Sequence, residues 1–229
     1  MGAPRFGSVA ARRAQVARFV AQRGCAQEEP AFVGARRLSS RGPSDLGVYV
    51  RRMSNVVTAK TEELSQRTLA EATRLLETAF EESFDSYWED IGPAQHFMIV
   101  SGDQLIAHAC VVDRELHTAR HRLCTGYVEA VATWPKLRNR GHATTVMRAV
   151  NAFVDAGYDL GALSTGRIAF YERLGWELWR GPTYIRNADG SRQRTSEDDG
   201  TVMVLRSART PELDTTAPIS AEWRPGELW

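Results

Sequence analysis

Two short stretches contain residues whose types and spacing could do chemistry. In "GYVEAVAT" Glu129 interrupts an otherwise apolar strand pattern. A carboxylate buried there alone forfeits its hydration, so Glu129 is either half of a buried ion pair or a group kept for proton transfer. Shortly after it, "KLRNRGHATTVMRAV" joins basic and small residues directly to an apolar helical pattern. Within it Arg138, Gly141 and Ala143 form an R-x-x-G-x-A spacing. The small residues let a loop backbone turn its N–H groups toward one point, at the positive end of the coming helix. An anion such as a phosphate suits that geometry, and so does an ordinary solvated helix start. Further on, "FYERLGW" places the phenol of Tyr171 on a second amphipathic helix, where tyrosine serves as core or rim as readily as a proton donor. No serine or cysteine has a convincing base partner, which argues against covalent nucleophilic catalysis. Of the five histidines only His117 and His121 stand at H-x-x-x-H spacing, within the turn candidate "HTARH" rather than on a helix, so no metal site is expected.

These groups need a frame, and the hydrophobic periodicities describe one. "VVTAKTEEL" predicts a strand, and Ser65 can cap a helix whose apolar residues Leu69, Ala72, Leu76, Ala79 and Phe80 recur at helical spacing. The polar aromatic loop "EESFDSYWEDIG" follows. "HFMIV" and "LIAHACVVDREL" flank Ser101-Gly102-Asp103, a hairpin signal, and a turn at "HTARH" leads into "RLCTGYVEAVAT". These three strands read as an antiparallel meander. Next come the helix "ATTVMRAVNAFVDAG", the strand "DLGALS", the helix "RIAFYERLGW", and two more strands, "PTYIRN" and "TVMVLRS", separated by an acidic loop. The tail "TPELDTTAPISAEWRPGELW" reads as irregular. Together they predict an α+β layer whose sheet changes from antiparallel to parallel near its middle. Such a change leaves a crevice at the strand ends where a ligand can enter.

The 229 residues, 43% of them hydrophobic, suffice for one domain with a sizeable core plus tails. No apolar run reaches the roughly eighteen residues that cross a bilayer, so no membrane partner is expected. The net charge of +1 conceals a division: residues 1–52 carry ten Arg against three acidic residues (+7), and residues 53–229 carry nineteen basic against twenty-five acidic residues (−6). The basic leader is expected to be a disordered extension, superficially like a transit peptide, with Met53 as an alternative start of translation. The acidic remainder attracts cations and repels nucleic acid, so no nucleic-acid partner is expected. Cys25, Cys110 and Cys124 have no C-x-x-C spacing and read as reduced core residues of a cytoplasmic protein.

"GYVEAVAT", then R-x-x-G-x-A opening a helix, then "LGALS" and "FYERLGW", resemble the acetyl-CoA-binding core of the GNAT acyltransferase superfamily. More finely, "GYVEAVA", "LGALS", "YERLGW", "GPT", "EDDGTV" and the final "EWRPGELW" resemble the aminoglycoside 2'-N-acetyltransferases over nearly all of residues 54–229. The resemblance implies a GNAT acetyltransferase domain over 53–229, with a mixed, mostly antiparallel sheet flanked by helices and a splayed strand pair that admits acetyl-CoA. It implies that the loop backbone of Arg138, Asn139, Arg140, Gly141, His142 and Ala143 holds the CoA pyrophosphate. The pantetheine arm would pair against Val131 to Thr133, with the Val131 N–H aimed at the thioester oxygen. Glu129 would be the base, acting through water, and Tyr171 the acid for the departing thiolate, in a direct transfer.

For a polycationic aminoglycoside the resemblance implies Asp198, Glu227 and the terminal carboxylate of Trp229 as substrate ligands, with Trp223 and Trp229 docking the tail. Two departures mark the substrate side. Glu227 stands where the family tends to have Asp, and "AFEESFDSYWED" puts Ser83 near a family aspartate, leaving Glu82 and Asp85 on either side. An altered acidic loop suits kasugamycin, the substrate of one group within the family, and the deoxystreptamine drugs remain beside it. A transferase for another amino sugar and a catalytically idle binding module also stay open. Family members commonly dimerise, so a homodimer is implied as well.

Overall fold

The structure is a computed structural model that describes residues 51–53, 55–226 and 228–229. The disordered leader expected over residues 1–52 thus lies, up to residue 50, outside the described residues, as does Glu227. The first strand, β1 (Arg51–Met53), pairs antiparallel with β2 (Val56–Lys60). Ser65 caps helix α1 (Gln66–Phe80) as its position predicts, its Oγ accepting from the Thr68 N–H at 3.1 Å. Helix α1 buries Ala72, Leu75 and Leu76, whereas Phe80, counted on the apolar face by periodicity, is 48% exposed at the helix end. The aromatic loop tightens into a short helix, α2 (Tyr87–Ile91).

The expected meander follows as β3 (Ala94–Ser101), β4 (Gln104–His117) and β5 (Arg122–Thr133), all antiparallel. At fourteen residues β4 outruns β3, which pairs with it only from Gln104 to Val112, and its far end is left for another partner. Helix α3 (His142–Gly157) then crosses over the sheet. Its residues Val146, Val150 and Val154, with Met147, are fully buried on one face, each contributing roughly 1.5–3 kcal/mol of burial. The crossover returns the chain as β6 (Leu160–Ser164), parallel to β5, which is the predicted change of sheet direction.

Helix α4 (Ile168–Glu172) is shorter than "RIAFYERLGW" suggests, because the Leu174 N–H turns back to Tyr171 O at 2.8 Å. After β7 (Glu177–Leu178) come β8 (Thr183–Arg186), β9 (Arg192–Arg194) and β10 (Val202–Arg206). The tail is not irregular throughout. It holds β11 (Ile219–Glu222), parallel to β8 and antiparallel to the free end of β4, with Ser220 opposite His117 and Ala221 opposite Leu116. Four residues are too few to display alternation, and three of the four are buried, so the sequence carried no period to read. Cys110 is free and buried whereas Cys124 is disulfide-bonded, which corrects the reading of all three cysteines as reduced. No helix among the described residues is long and apolar enough to cross a membrane.

Candidate active site

The site begins where β5 and β6 part. Their parallel pairing covers only Thr125 opposite Leu160, Gly126 opposite Gly161 and Tyr127 opposite Ala162. Beyond it β5 continues to Thr133 and β6 to Ser164 without bonding to each other. On its other edge β5 slips against β4: Cys110 faces Glu129 and His108 faces Ala132, so Ala130 and Val131 together oppose the single residue Ala109. Ala130 takes φ 55, left-handed for a residue with a side chain. This is a β-bulge, and a bulge bends its strand and strengthens the twist, which is why two neighbouring strands separate here.

Glu129 sits immediately before the bulge, with its side chain 10% exposed. One carboxylate oxygen is ion-paired with the Arg224 guanidinium, and the other accepts from the Tyr87 hydroxyl at 3.3 Å. Burial would lower the Arg224 pKa, but Glu129 outweighs it and the net shift is upward. Burial, reinforced by Glu129, pushes the Tyr87 phenol well above its ordinary value. The Tyr127 ring lies beneath, with the Arg114 guanidinium 4.6 Å and the Arg224 guanidinium 5.7 Å from its centroid. Arg114 donates to the carbonyls of Glu222 and Leu228, at 3.0 and 2.8 Å, and so ties the last residues of the chain to β4. The antiparallel run of β11 along β4 heads toward the level of Cys110, and it delivers Arg224 to Glu129. Sequence reasoning missed Arg224, Tyr87 and Arg114. The one available signal was "EWRPGELW", where an arginine stands among the residues credited with substrate contacts.

The loop after β5 has Asn139 at φ 63 and Gly141 at φ 82, two left-handed residues that open α3. None of the N–H groups from Asn139 to Ala143 has an acceptor among the described residues. The Arg138 side chain is occupied elsewhere, donating to Ala79 O at 2.9 Å, and Arg140 is exposed. Backbone N–H groups at a helix N-terminus are therefore the anion donors this loop offers. Val131 is half-buried, and Thr133 is buried with its Oγ1 unpartnered among the described residues. Parted strands, an orphaned hydroxyl along one of them and an open helix start fit a phosphate-bearing thioester.

Tyr171 is 6% exposed on α4, its ring stacked edge-on with Phe170 and Trp176. Burial raises its pKa, so at neutral pH it is a phenol. Cys110, opposite Glu129, is also held protonated, by burial and then by that carboxylate. Of the residues expected to bind substrate, Glu82 and Asp85 are exposed in the loop that leads to Tyr87. Asp198 closes a 3-10 turn, Ser196–Asp198, and burial pushes its carboxyl upward. Its neighbour Asp199 serves the frame, taking a bidentate bond from Arg194 and two more from Thr183. Trp229 is docked as expected, 5% exposed with its Nε1 donating to Thr195 Oγ1 at 3.1 Å. Trp223 is 42% exposed and does not anchor the tail, which corrects that expectation. The donor atoms of Glu115, His117 and Glu222 lie within 4.8 Å of one another and could hold a metal, although Arg122 already pairs with Glu115.

A bulged strand parting from its parallel neighbour, a buried carboxylate at the fork and an open helix N-terminus below define an acyltransferase of the CoA-dependent kind. The family described as "Acetyltransferase (GNAT) domain" matches residues 60–179. The aminoglycoside 2'-N-acetyltransferase of Mycolicibacterium fortuitum is 42% identical over 174 residues, 74% of this chain and 89% of that protein. The chain belongs to the GNAT acetyltransferases and, within them, to the aminoglycoside 2'-N-acetyltransferase family. Among solved structures, the GNAT family N-acetyltransferase YhbS of Escherichia coli in complex with CoA is 17% identical, covering 74% of this chain and 91% of that one at a TM-score of 0.49. A GCN5-related N-acetyltransferase from Kribbella flavida is 20% identical at a TM-score of 0.45, over 56% of this chain and 34% of that longer one. This chain thus spans about a third of the Kribbella protein's length.

Proposed function

We propose that this acetyltransferase transfers the acetyl group of acetyl-CoA to the 2'-amino group of an aminoglycoside. The observation that carries the reaction is the buried Glu129 carboxylate at the fork of β5 and β6, beside the bulge. The likeness to the Mycolicibacterium fortuitum protein supports the substrate class. Acetyl-CoA supplies the activated acyl group. The N–H groups of Asn139 to Ala143 hold its pyrophosphate, and Val131 and Thr133 line its pantetheine arm. Glu129 takes a proton from the ammonium through a water, because an ammonium has no lone pair with which to attack. The Val131 N–H donates to the acyl oxygen as negative charge develops there. Tyr171, held as a phenol, hydrogen-bonds the departing sulfur, and the second proton that the nitrogen sheds as the amide forms ends on that sulfur, giving the CoA thiol. The protonated Cys110 stands aside, in keeping with direct transfer.

Glu82, Asp85, Asp198 and Glu227 are the acids we assign to the substrate's ammonium groups, with Trp229 beside them. Asp90 joins them, since its side chain lies beside Gly226 on the path of the tail. The altered acidic loop favours kasugamycin alongside the deoxystreptamine drugs. Acetylation removes a positive charge used in binding ribosomal RNA, so the product is a weakened antibiotic and the host is resistant. The enzyme would meet its acetyl-CoA in the cytoplasm and act there, as a homodimer.

The test is CoA release from acetyl-CoA with gentamicin, tobramycin, amikacin and kasugamycin, by wild type and Glu129→Gln. The amide keeps an acceptor for Arg224 but cannot take a proton. Turnover is expected with at least one drug, reduced in Glu129→Gln by about 10²–10⁴-fold, with drug binding retained. Wild-type turnover by Glu129→Gln would remove Glu129 from the mechanism. Drug binding without turnover by wild type would favour the idle binding module.

A further inference from the structure

Behind the bulge lie two buried histidines that the transfer scheme leaves unused. His96 on β3 is 0% exposed and His108 on β4 is 1% exposed. Thr61 Oγ1 lies 3.0 Å from His96 Nε2, His96 Nδ1 lies 2.9 Å from His108 Nε2, and His108 Nδ1 lies 3.0 Å from the carbonyl oxygen of Ala130. Trp88 packs against both rings, at 5.4 and 5.6 Å between centroids. Burial lowers the His96 pKa to about 3, with His108 adding to the effect. Burial also lowers that of His108 to about 4, against the opposing bond to Ala130, so both rings are neutral.

A neutral pair has one proton per ring, and the carbonyl decides where each sits. Ala130 O can only accept, so His108 Nδ1 carries its proton. His108 Nε2 must then accept, so His96 Nδ1 donates and His96 Nε2 is left an acceptor facing the Thr61 hydroxyl, whose single proton is shared with Ala94 O at 3.2 Å. The two bonds that reach the bulge run in one direction, from His96 through His108 to Ala130 O. Hydrogen bonds aligned in series polarise one another.

Ala130 O belongs to the same planar peptide as the Val131 N–H. In a trans peptide the two point in opposite directions, so a donor fixed on the oxygen fixes the direction of the N–H and sharpens its polarity. It also helps to hold Ala130 at φ 55, a conformation a side-chain-bearing residue resists. We propose that His108, kept in its donating tautomer by His96, is a positioning residue that aims and strengthens the Val131 N–H toward the acyl oxygen of a bound thioester. This rests on the acetyl-transfer reading of the site.

The measurement is the infrared carbonyl stretch of 13C-labelled acetyl-CoA bound to the full-length chain, together with kcat and KM, in wild type, His108→Leu, His108→Asn and His96→Leu. Leu fills the space without a donor, whereas the Asn side-chain nitrogen falls where Nδ1 stood. Wild type is expected to shift the stretch to lower frequency than in solution. His108→Leu should lose most of that shift and about tenfold in kcat, with the acetyl-CoA KM within about twofold, and His108→Asn should restore both. His96→Leu, which frees His108 to adopt the other tautomer, should fall between. If Leu at 108 prevents folding, His108→Asn against His108→Gln makes the same comparison, because only Asn puts nitrogen at the Nδ1 position. Wild-type protein that binds acetyl-CoA without any shift would remove the acyl-site reading and the proposal with it. A wild-type shift that survives undiminished in His108→Leu would leave that reading standing and overturn the positioning role, as would a loss that His108→Asn fails to restore.

Discussion

Glu129 and Arg224 meet with side chains only 10% and 13% exposed, so each charge has given up most of its water and depends on the other. Removing one partner strands the other. Glu129→Leu and Arg224→Met should each lower the unfolding free energy by about 3 kcal/mol, and the double variant should cost less than their sum by about 2 kcal/mol. Denaturant unfolding of the four proteins measures this, and strictly additive losses would mean that the pair does not form in solution. Gly141 makes a second residue-level case. A Cβ there would meet nothing within 4 Å, yet φ is 82. Gly141→Ala should therefore cost about 1 kcal/mol of stability, from the backbone alone, while acetyl-CoA affinity, read by calorimetry, falls about tenfold or more where the new methyl intrudes on the pyrophosphate. Intact affinity would place the phosphates elsewhere. Glu129 and Gly141 were legible in the sequence because each violates its local pattern, a charge in an apolar strand and a small residue between a basic run and a helix. Arg224, Tyr87 and His108 were not, since their meaning lies in partners 95, 42 and 22 residues away.

The elements that were legible are those whose sequence period is enforced by one partner surface. Helix α3 shows its i, i+4 stripe because one face meets the sheet, and the meander shows its strands because hairpin turns bound them. The bulge at Ala130 and Val131 has no such signature, since a slip of one residue in pairing is written in the neighbouring strand and in the histidines behind it. Those histidines give β3 and β4 a pH dependence whose sign is fixed. Both folded pKa values, about 3 and about 4, lie below the ordinary 6.5, so the unfolded chain binds protons first. Their stabilising contribution is complete above pH 6.5 and is lost as pH falls toward 3. With both groups titrating the loss reaches up to about 3 kcal/mol per pH unit. Thermal melts from pH 7 to 5 should show wild type losing stability more steeply than a His96→Asn/His108→Asn variant. Parallel curves would show that the rings are not held neutral.

The described fold is organised along β4, and its two ends serve the two halves of the site. Toward its start, His108 backs the bulge; toward its finish, Arg114 and the pairing with β11 hold the end of the chain. That end is pinned again by Trp229, whose indole is buried and bonded to Thr195, and between the pins Arg224 reaches Glu129. On the function proposed above, the docked tail would serve the amine side, and the parted strands and the start of α3 the acetyl-CoA side, without using a tail residue. Trp229→Ala should separate the two. Losing a buried tryptophan costs about 3 kcal/mol or more, visible as a lower melting temperature. In the protein that remains folded, the freed tail no longer places Arg224. The kcat/KM for the aminoglycoside should fall about tenfold or more, one bond's worth of positioning or greater, while the acetyl-CoA dissociation constant stays within about twofold. Equal losses on both sides would show that the tail supports the whole fold and has no particular claim on the amine, and unchanged amine kinetics would take the chain end out of the site.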